Sequence, residues 1–213
     1  MKDLYIIGAG GLGRKVFECV RRINEKNERW NIIGFLDDNL NALDNVKCNL
    51  SIVGKISTYI PKDNDVFLLA VSSPSLKEKM SNELINRGFQ FESIISPEAI
   101  VGDFVEVGEG SIIMTPYNVE TGSKIGRFVT LLGSTIAVDG QIGDYSTTAG
   151  FANLTNSKIG NKVYVASHAV LLENTTIGDN SEISAGSIVV KDVEPDVIMF
   201  GSPARVLKKK EIN

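Results

Sequence analysis

The sequence predicts a Rossmann-like α/β domain followed by a parallel β-helix. Three observations carry that prediction. Residues 101–190 repeat in six-residue steps, each beginning with an aliphatic residue and often followed by Gly. The N-terminal stretch reads as strand, Gly-rich turn and helix. A Ser-Pro-Glu junction at 96–98 separates the two patterns. The expected domains are therefore 1–95 and 96–213.

In the first domain, Leu4–Ile7 is a short apolar strand. It runs into Gly8-Ala9-Gly10-Gly11-Leu12-Gly13, then into a segment with Val16, Phe17, Val20 and Ile23 on one helical face. This is G-x-G-x-x-G in its proper context. Backbone N–H groups at a helix N-terminus receive a phosphate there, and glycines let it approach. Arg14 and Lys15 add positive charge. A second strand, Ile32–Leu36, ends in Asp37-Asp38. An acidic residue there bonds a ribose hydroxyl or simply makes a polar turn. Ile52-Val53-Gly54 is an edge segment, and Asp65–Val71 a buried strand. Ser75 and Glu78 form a capping box for a helix whose apolar side is Leu76, Met80, Leu84 and Ile85. Gly88 stops that helix, and Phe89–Ile95 is the closing strand.

In the second domain, Val101, Val107, Ile113, Val119, Ile125 and Leu131 stand six apart. After a slip, Ile159, Val165, Leu171, Ile177, Ile183 and Val189 do so again. Ile142, Thr148 and Leu154 fall between. The Ile-Gly pairs at 125, 142, 159 and 177 recur every 17 or 18 residues, or three steps. Three steps close a triangular coil, and the aliphatic residues stack into one apolar column. Gly after each lets the chain turn where a Cβ would clash.

Composition narrows the function. The 213-residue chain is 43% hydrophobic and 23% charged, with net charge −4. That balance gives no field for nucleic acid or an anionic membrane. The basic run Lys208–Lys210 is expected to be a solvated tail. Cys19 and Cys48 lack metal-ligand spacing, no cluster for a metal is expected, and free thiols suit a reducing cytoplasm. No signal peptide or membrane-crossing segment is expected. The Gly-rich loop alone also suggests an NAD-dependent oxidoreductase, but the first domain is too short for a full dinucleotide site.

The Gly-rich loop, the strand ending Gly34-Phe35-Leu36-Asp37-Asp38, the six-residue steps and the closing Gly201-Ser202-Pro203-Ala204-Arg205 together resemble one family. It comprises the sialic acid O-acetyltransferases and bacterial sugar N-acetyltransferases, and the resemblance covers nearly the whole chain. It implies a left-handed β-helix, a homotrimer, acetyl-CoA at the seam between subunits, and a nucleotide-linked sugar on the first domain. Gly10, Gly11, Leu12, Asp37, Asp38 and Gly54 would hold that sugar nucleotide. Thr147, Ser167 and Ala185 would border acetyl-CoA.

The family's general base is a histidine followed by an acidic residue, just before an Ile-Gly step. Here Val138 and Asp139 precede Ile142-Gly143, and Thr147 takes the place of a second histidine. The sole histidine is His168. A positioned base contributes about 10²–10⁴-fold. Three expectations follow. Transfer to an amine proceeds with Asp139 or water taking the proton; His168 acts as base; or the protein is a non-catalytic binding module. N-acetylation of a nucleotide-linked amino sugar for surface glycan synthesis is favoured. O-acetylation is the harder case without the histidine.

Overall fold

The computed structural model describes residues 1–114 and 118–211. The chain opens with β1 (Lys2–Ile7), α1 (Gly11–Lys26), β2 (Trp30–Leu36), β3 (Ile52–Gly54), β4 (Asp65–Leu69) and α2 (Pro74–Asn86). The four strands form one parallel sheet in the order β3-β2-β1-β4. β3 is at the edge, as its short sequence predicts. The chain crosses to opposite sides of β1 for β2 and β4, so a crevice opens at the C-terminal ends of β1 and β4.

Two expectations for this domain are corrected. Phe91 bridges Phe67, but Ile94–Ile95 pairs with Ile112–Ile113 of the solenoid rather than closing the first sheet. α2 is capped by Ser73 with Pro74 in its first turn and no side-chain cap bond, so the Ser75–Glu78 box does not form. Pro fits there because its missing N–H would have no partner in the helix. The face that α2 buries holds Lys77, Ser81 and Leu84, while Leu76 is 48% exposed.

The second domain is a parallel β-solenoid of the kind typical of left-handed β-helices. Most aliphatic steps are the second residue of a two-residue strand, as in Lys124–Ile125, Gln141–Ile142 and Lys158–Ile159. Strands one coil apart pair in register, Ile125 on Ile142 on Ile159 on Ile177. Their side chains form one buried cluster from Ile113 to Met199. The slips fall at shortened steps, Leu131 to Ile136 and Leu154 to Ile159; Ile136 and Leu154 remain buried.

Glycine after the aliphatic residue has a different cause from a turn. A methyl carbon at Gly143 would lie 2.6 Å from the Gly160 carbonyl carbon, and one at Gly178 would lie 2.4 Å from the Pro195 nitrogen. The column is bare because successive coils touch backbone to backbone. The left-handed corner falls two residues later and is taken by side-chain-bearing residues: Phe128, Tyr145, Lys162 and Asn180, with φ of 53–63°.

A second column alternates Ser111, Val129, Ser146, Val163, Ser181 and Val197, all buried. Ser146 Oγ donates to the Gly160 carbonyl (2.8 Å) and accepts from Val163 N–H (2.9 Å). Ser111 makes the same pair of bonds with Gly126 and Val129. Each buried hydroxyl is thereby satisfied while tying one coil to the next.

The outward residues divide the solenoid into three faces. One carries Glu106, Lys124, Gln141, Lys158 and Thr176, all but Thr176 charged or amide-bearing and all exposed. A second carries Ile112, Thr130 and Thr147, all buried against the first domain. The third carries Ile100, Asn118, Thr135, Asn153, Val170 and Ile188, a row without a charge. The last strands, Val197–Gly201 and Ala204–Lys209, form an antiparallel hairpin that closes the lower end. The basic run is therefore not a loose tail: Lys208 pairs with Ile198, and Lys209 with Val197.

Candidate functional site

The crevice is built by the Gly-rich loop. Gly8 has φ of 95° beside the Ala70 carbonyl, a conformation that glycine adopts without strain. A methyl carbon at Gly13 would lie 1.9 Å from the Gly8 carbonyl oxygen, so this glycine lets α1 press against the end of β1. Gly10 and Gly11 have nothing within 4 Å of where a Cβ would stand. α1 begins there with no side-chain cap, leaving first-turn N–H groups for a ligand. Beside that turn is a cavity of about 750 Å³ lined by Arg14, Lys15 and Lys47. Arg14 Nε is buried without a hydrogen-bond partner. A larger cavity, about 890 Å³, lies under α2, between Ser75, Lys162 and Lys208–Lys210.

Around the crevice the fold gathers Gly10, Gly11, Leu12, Asp37, Asp38 and Gly54. Asp37 is occupied internally: one oxygen accepts from Ala9 N–H (2.8 Å), the other from Asn39 N–H (2.9 Å). It clamps the Gly-rich loop to the end of β2. Asp38 is exposed, and its carboxylate accepts from the Ser57 N–H and hydroxyl (3.0 and 2.7 Å). The Ser57 N–H is the main cause that lowers its pKa. Gly54 accepts from Asp37 N–H (3.1 Å).

On the solenoid, the remaining residues flank the uncharged face. Val138 and Asp139 occupy the corner that leaves it, both exposed, Asp139 with φ of 57°. The Asp139 carboxylate lies over Gly122, whose missing Cβ makes room for it, and accepts no hydrogen bond among the described residues. Ser167, His168 and Ala185 occupy the corner that enters the face. His168 is exposed and stacks on Phe151, with centroids 5.0 Å apart and planes at 11°. Asp139 and His168 therefore stand on opposite edges of one face and at different heights.

Thr147 is elsewhere. It is fully buried, donates to the Ser72 carbonyl (2.8 Å) and accepts from Lys77 Nζ (2.9 Å). Its side chain faces the seam between the domains, not a surface open to a coenzyme. Lys77 also donates to Thr130 Oγ1 (2.9 Å) and the Ser146 carbonyl (3.2 Å). Burial lowers its pKa to about 7. Sequence reasoning missed Lys77, because a lysine on a helix reads as solvated; its spacing to Ser81 and Leu84 is the only trace. Among the described residues no group of His, Cys, Asp and Glu gathers as a metal site.

Comparison with known proteins agrees with both halves. The PglD N-terminal domain matches residues 3–84, and the bacterial transferase hexapeptide (six repeats) matches residues 156–191. GDP-perosamine N-acetyltransferase of Escherichia coli O157:H7 is 28% identical over 97% of both chains. The chain is a homologue of the hexapeptide-repeat sugar acetyltransferases. Galactoside O-acetyltransferase of Escherichia coli K12 is 54% identical, but over only 26% of either chain. In three dimensions, the acetyltransferase domain of PglB from Neisseria gonorrhoeae superposes with a TM-score of 0.89, at 24% identity, over 97% of this chain and all of that one. Perosamine N-acetyltransferase from Caulobacter crescentus, in complex with CoA and GDP-perosamine, superposes at 0.86 with 22% identity over 98% of each. The relatives matched end to end are acetyltransferases, and this homologue has the same two parts in the same order.

Proposed function

We propose that this homologue transfers an acetyl group from acetyl-CoA to the amine of a nucleotide-linked amino sugar, and that it works as a trimer. One observation carries the reading: the unobstructed approach to Gly10 and Gly11 at an uncapped helix N-terminus, fused to a hexapeptide solenoid. The Caulobacter relative binds CoA and GDP-perosamine, which supports the same pair of ligand classes here. Glycan synthesis in the cytoplasm is the setting that this chemistry and two free cysteines suit.

The uncharged solenoid face supports the trimer. Its edges carry exposed Val138, Phe151, Leu172 and Val190. Three such faces packed about an axis would bring the Asp139 edge of one subunit against the Ser167–Ala185 edge of the next. Acetyl-CoA would lie in that seam. The first domain would hold the sugar nucleotide through Gly10, Gly11, Leu12, Asp38 and Gly54, with Asp37 fixing the loop.

An amine loses its proton readily once it has attacked the thioester, so orientation and N–H groups facing the thioester oxygen supply much of the acceleration. Asp139, whose carboxylate accepts no hydrogen bond among the described residues, takes the proton directly or through water. His168 is the competing base, held by its stack on Phe151. Val138, 48% exposed where the base is expected, favours a second reading: a trimeric module that binds and does not turn over.

Release of free thiol from acetyl-CoA across a panel of nucleotide-linked amino sugars decides between them. Turnover that Asp139→Ala lowers about 10²-fold or more supports the enzyme with Asp139 as base. Binding of both ligands without turnover, with activity gained in Val138→His, supports the module.

A further inference from the structure

Lys77 is 1% exposed, yet no carboxylate among the described residues pairs with it. Its three bonds all cross from α2 to the second solenoid face: Thr130 Oγ1, Thr147 Oγ1 and the Ser146 carbonyl. Thr147 in turn donates a hydrogen bond from its hydroxyl to the Ser72 carbonyl, just after β4. The bonds form a closed path, from the first turn of α2 to the solenoid and back to the loop that makes one wall of the crevice. The Glu78–Lys162 ion pair (3.2 Å) runs parallel to it at the half-exposed rim. Apolar contacts surround the path: Phe91 packs on Phe128 at 5.0 Å, and Phe128 stacks on Tyr145 at 5.8 Å. Apolar contacts tolerate sliding, whereas three directional bonds to one nitrogen do not.

We propose that Lys77 is a positioning residue that fixes the nucleotide crevice at one place on the solenoid. It touches neither substrate. This rests on the reading that the crevice holds the acceptor, since only then does its placement affect transfer. A displacement of about 1 Å at a reacting centre costs on the order of 10²-fold in rate.

The test pairs Lys77→Met, which keeps the length of the side chain and removes its donors, with Thr147→Val, which keeps shape and breaks the path to Ser72. Hydrogen exchange on the whole protein is followed with acetyl-CoA and GDP-perosamine as kinetic probes. Exchange is expected to rise about tenfold at residues 72–78 and 146–148, with residues 159–189 unchanged. kcat is expected to fall about tenfold to a hundredfold, with KM for acetyl-CoA held within about twofold. Thr147→Val should show the same pattern at smaller size, and it carries the test if Lys77→Met does not fold. Unchanged exchange at the seam, or a loosened seam with unchanged kcat, overturns the proposal. If the native protein acetylates no acceptor, the acetyltransferase reading fails. Seam exchange then decides alone whether Lys77 fixes the domains.

Discussion

Two faces of the solenoid belong to the same coils and differ most in what points outward. Along one run Glu106, Lys124, Gln141, Lys158 and Thr176; along the other run Ile100, Asn118, Thr135, Asn153, Val170 and Ile188. Inside, both present the same aliphatic column, Ile125 to Ile177 on the first and Val119 to Val189 on the second. The inward residues make the coil. The outward ones decide whether a face meets water or another surface.

The largest expected effect should ignore the difference between the faces. Ile159→Ala and Leu171→Ala each empty a buried site, and each should cost about 2–5 kcal/mol in denaturant unfolding. If one costs under about 1 kcal/mol, the faces are not equivalent inside. The next effect should depend on the difference. Val170→Lys puts a charge in the uncharged row and should convert the proposed trimer to monomer in sedimentation, with loss of transfer. A trimer that survives it would remove that face from the interface.

A smaller effect tests the third face, which the first domain covers. Lys77 has an ordinary pKa of 10.5, lowered to about 7 by burial. Between those values the unfolded chain binds the extra proton. Stability should therefore rise with pH across that window and be lost again as pH falls toward 7. Thermal unfolding across pH should lose that component of its slope in Lys77→Met. The smallest effect belongs to the charged face: Lys158→Glu should change stability by no more than about 0.5 kcal/mol.

The solenoid was legible because its rule is periodic. One aliphatic residue every six positions can be counted up to Leu131 and again from Ile159, with Ile142 and Leu154 between; Ile136, buried at the first shortened step, is outside that count. The Gly-rich loop was legible because glycines at 8, 10 and 13 have distinct steric duties. What escaped was the non-periodic contact between domains. Lys77 and Thr147 meet across 70 residues, and no local pattern marks a lysine that trades water for three neutral oxygens. The α2 start was misplaced for a different reason: Pro74 was the stronger signal, and the Ser75–Glu78 spacing outranked it. Lys208–Lys210 read as a tail because charge suggests solvent, but the last coil has an open strand edge, and the chain returns to cover it. Asp37 showed the limit of motif logic. Its position is that of a ligand-binding acid, while both its oxygens already serve the loop.

The Ser–Val column gives the solenoid a longer rhythm than its coil. Ser111, Ser146 and Ser181 recur at a constant 35-residue interval, two coils at a time. A serine lies under each of Val129, Val163 and Val197 and fills its N–H. The side chain above does not matter to that bond, since each hydroxyl meets only backbone groups of the next coil: Ser93 lies under Ser111 in the same way, donating to the Gly108 carbonyl (2.8 Å) and accepting from Ser111 N–H (3.2 Å). A serine can therefore stack on serine as well as on valine without an orphaned hydroxyl, and the unit that this column allows to be copied is the single coil.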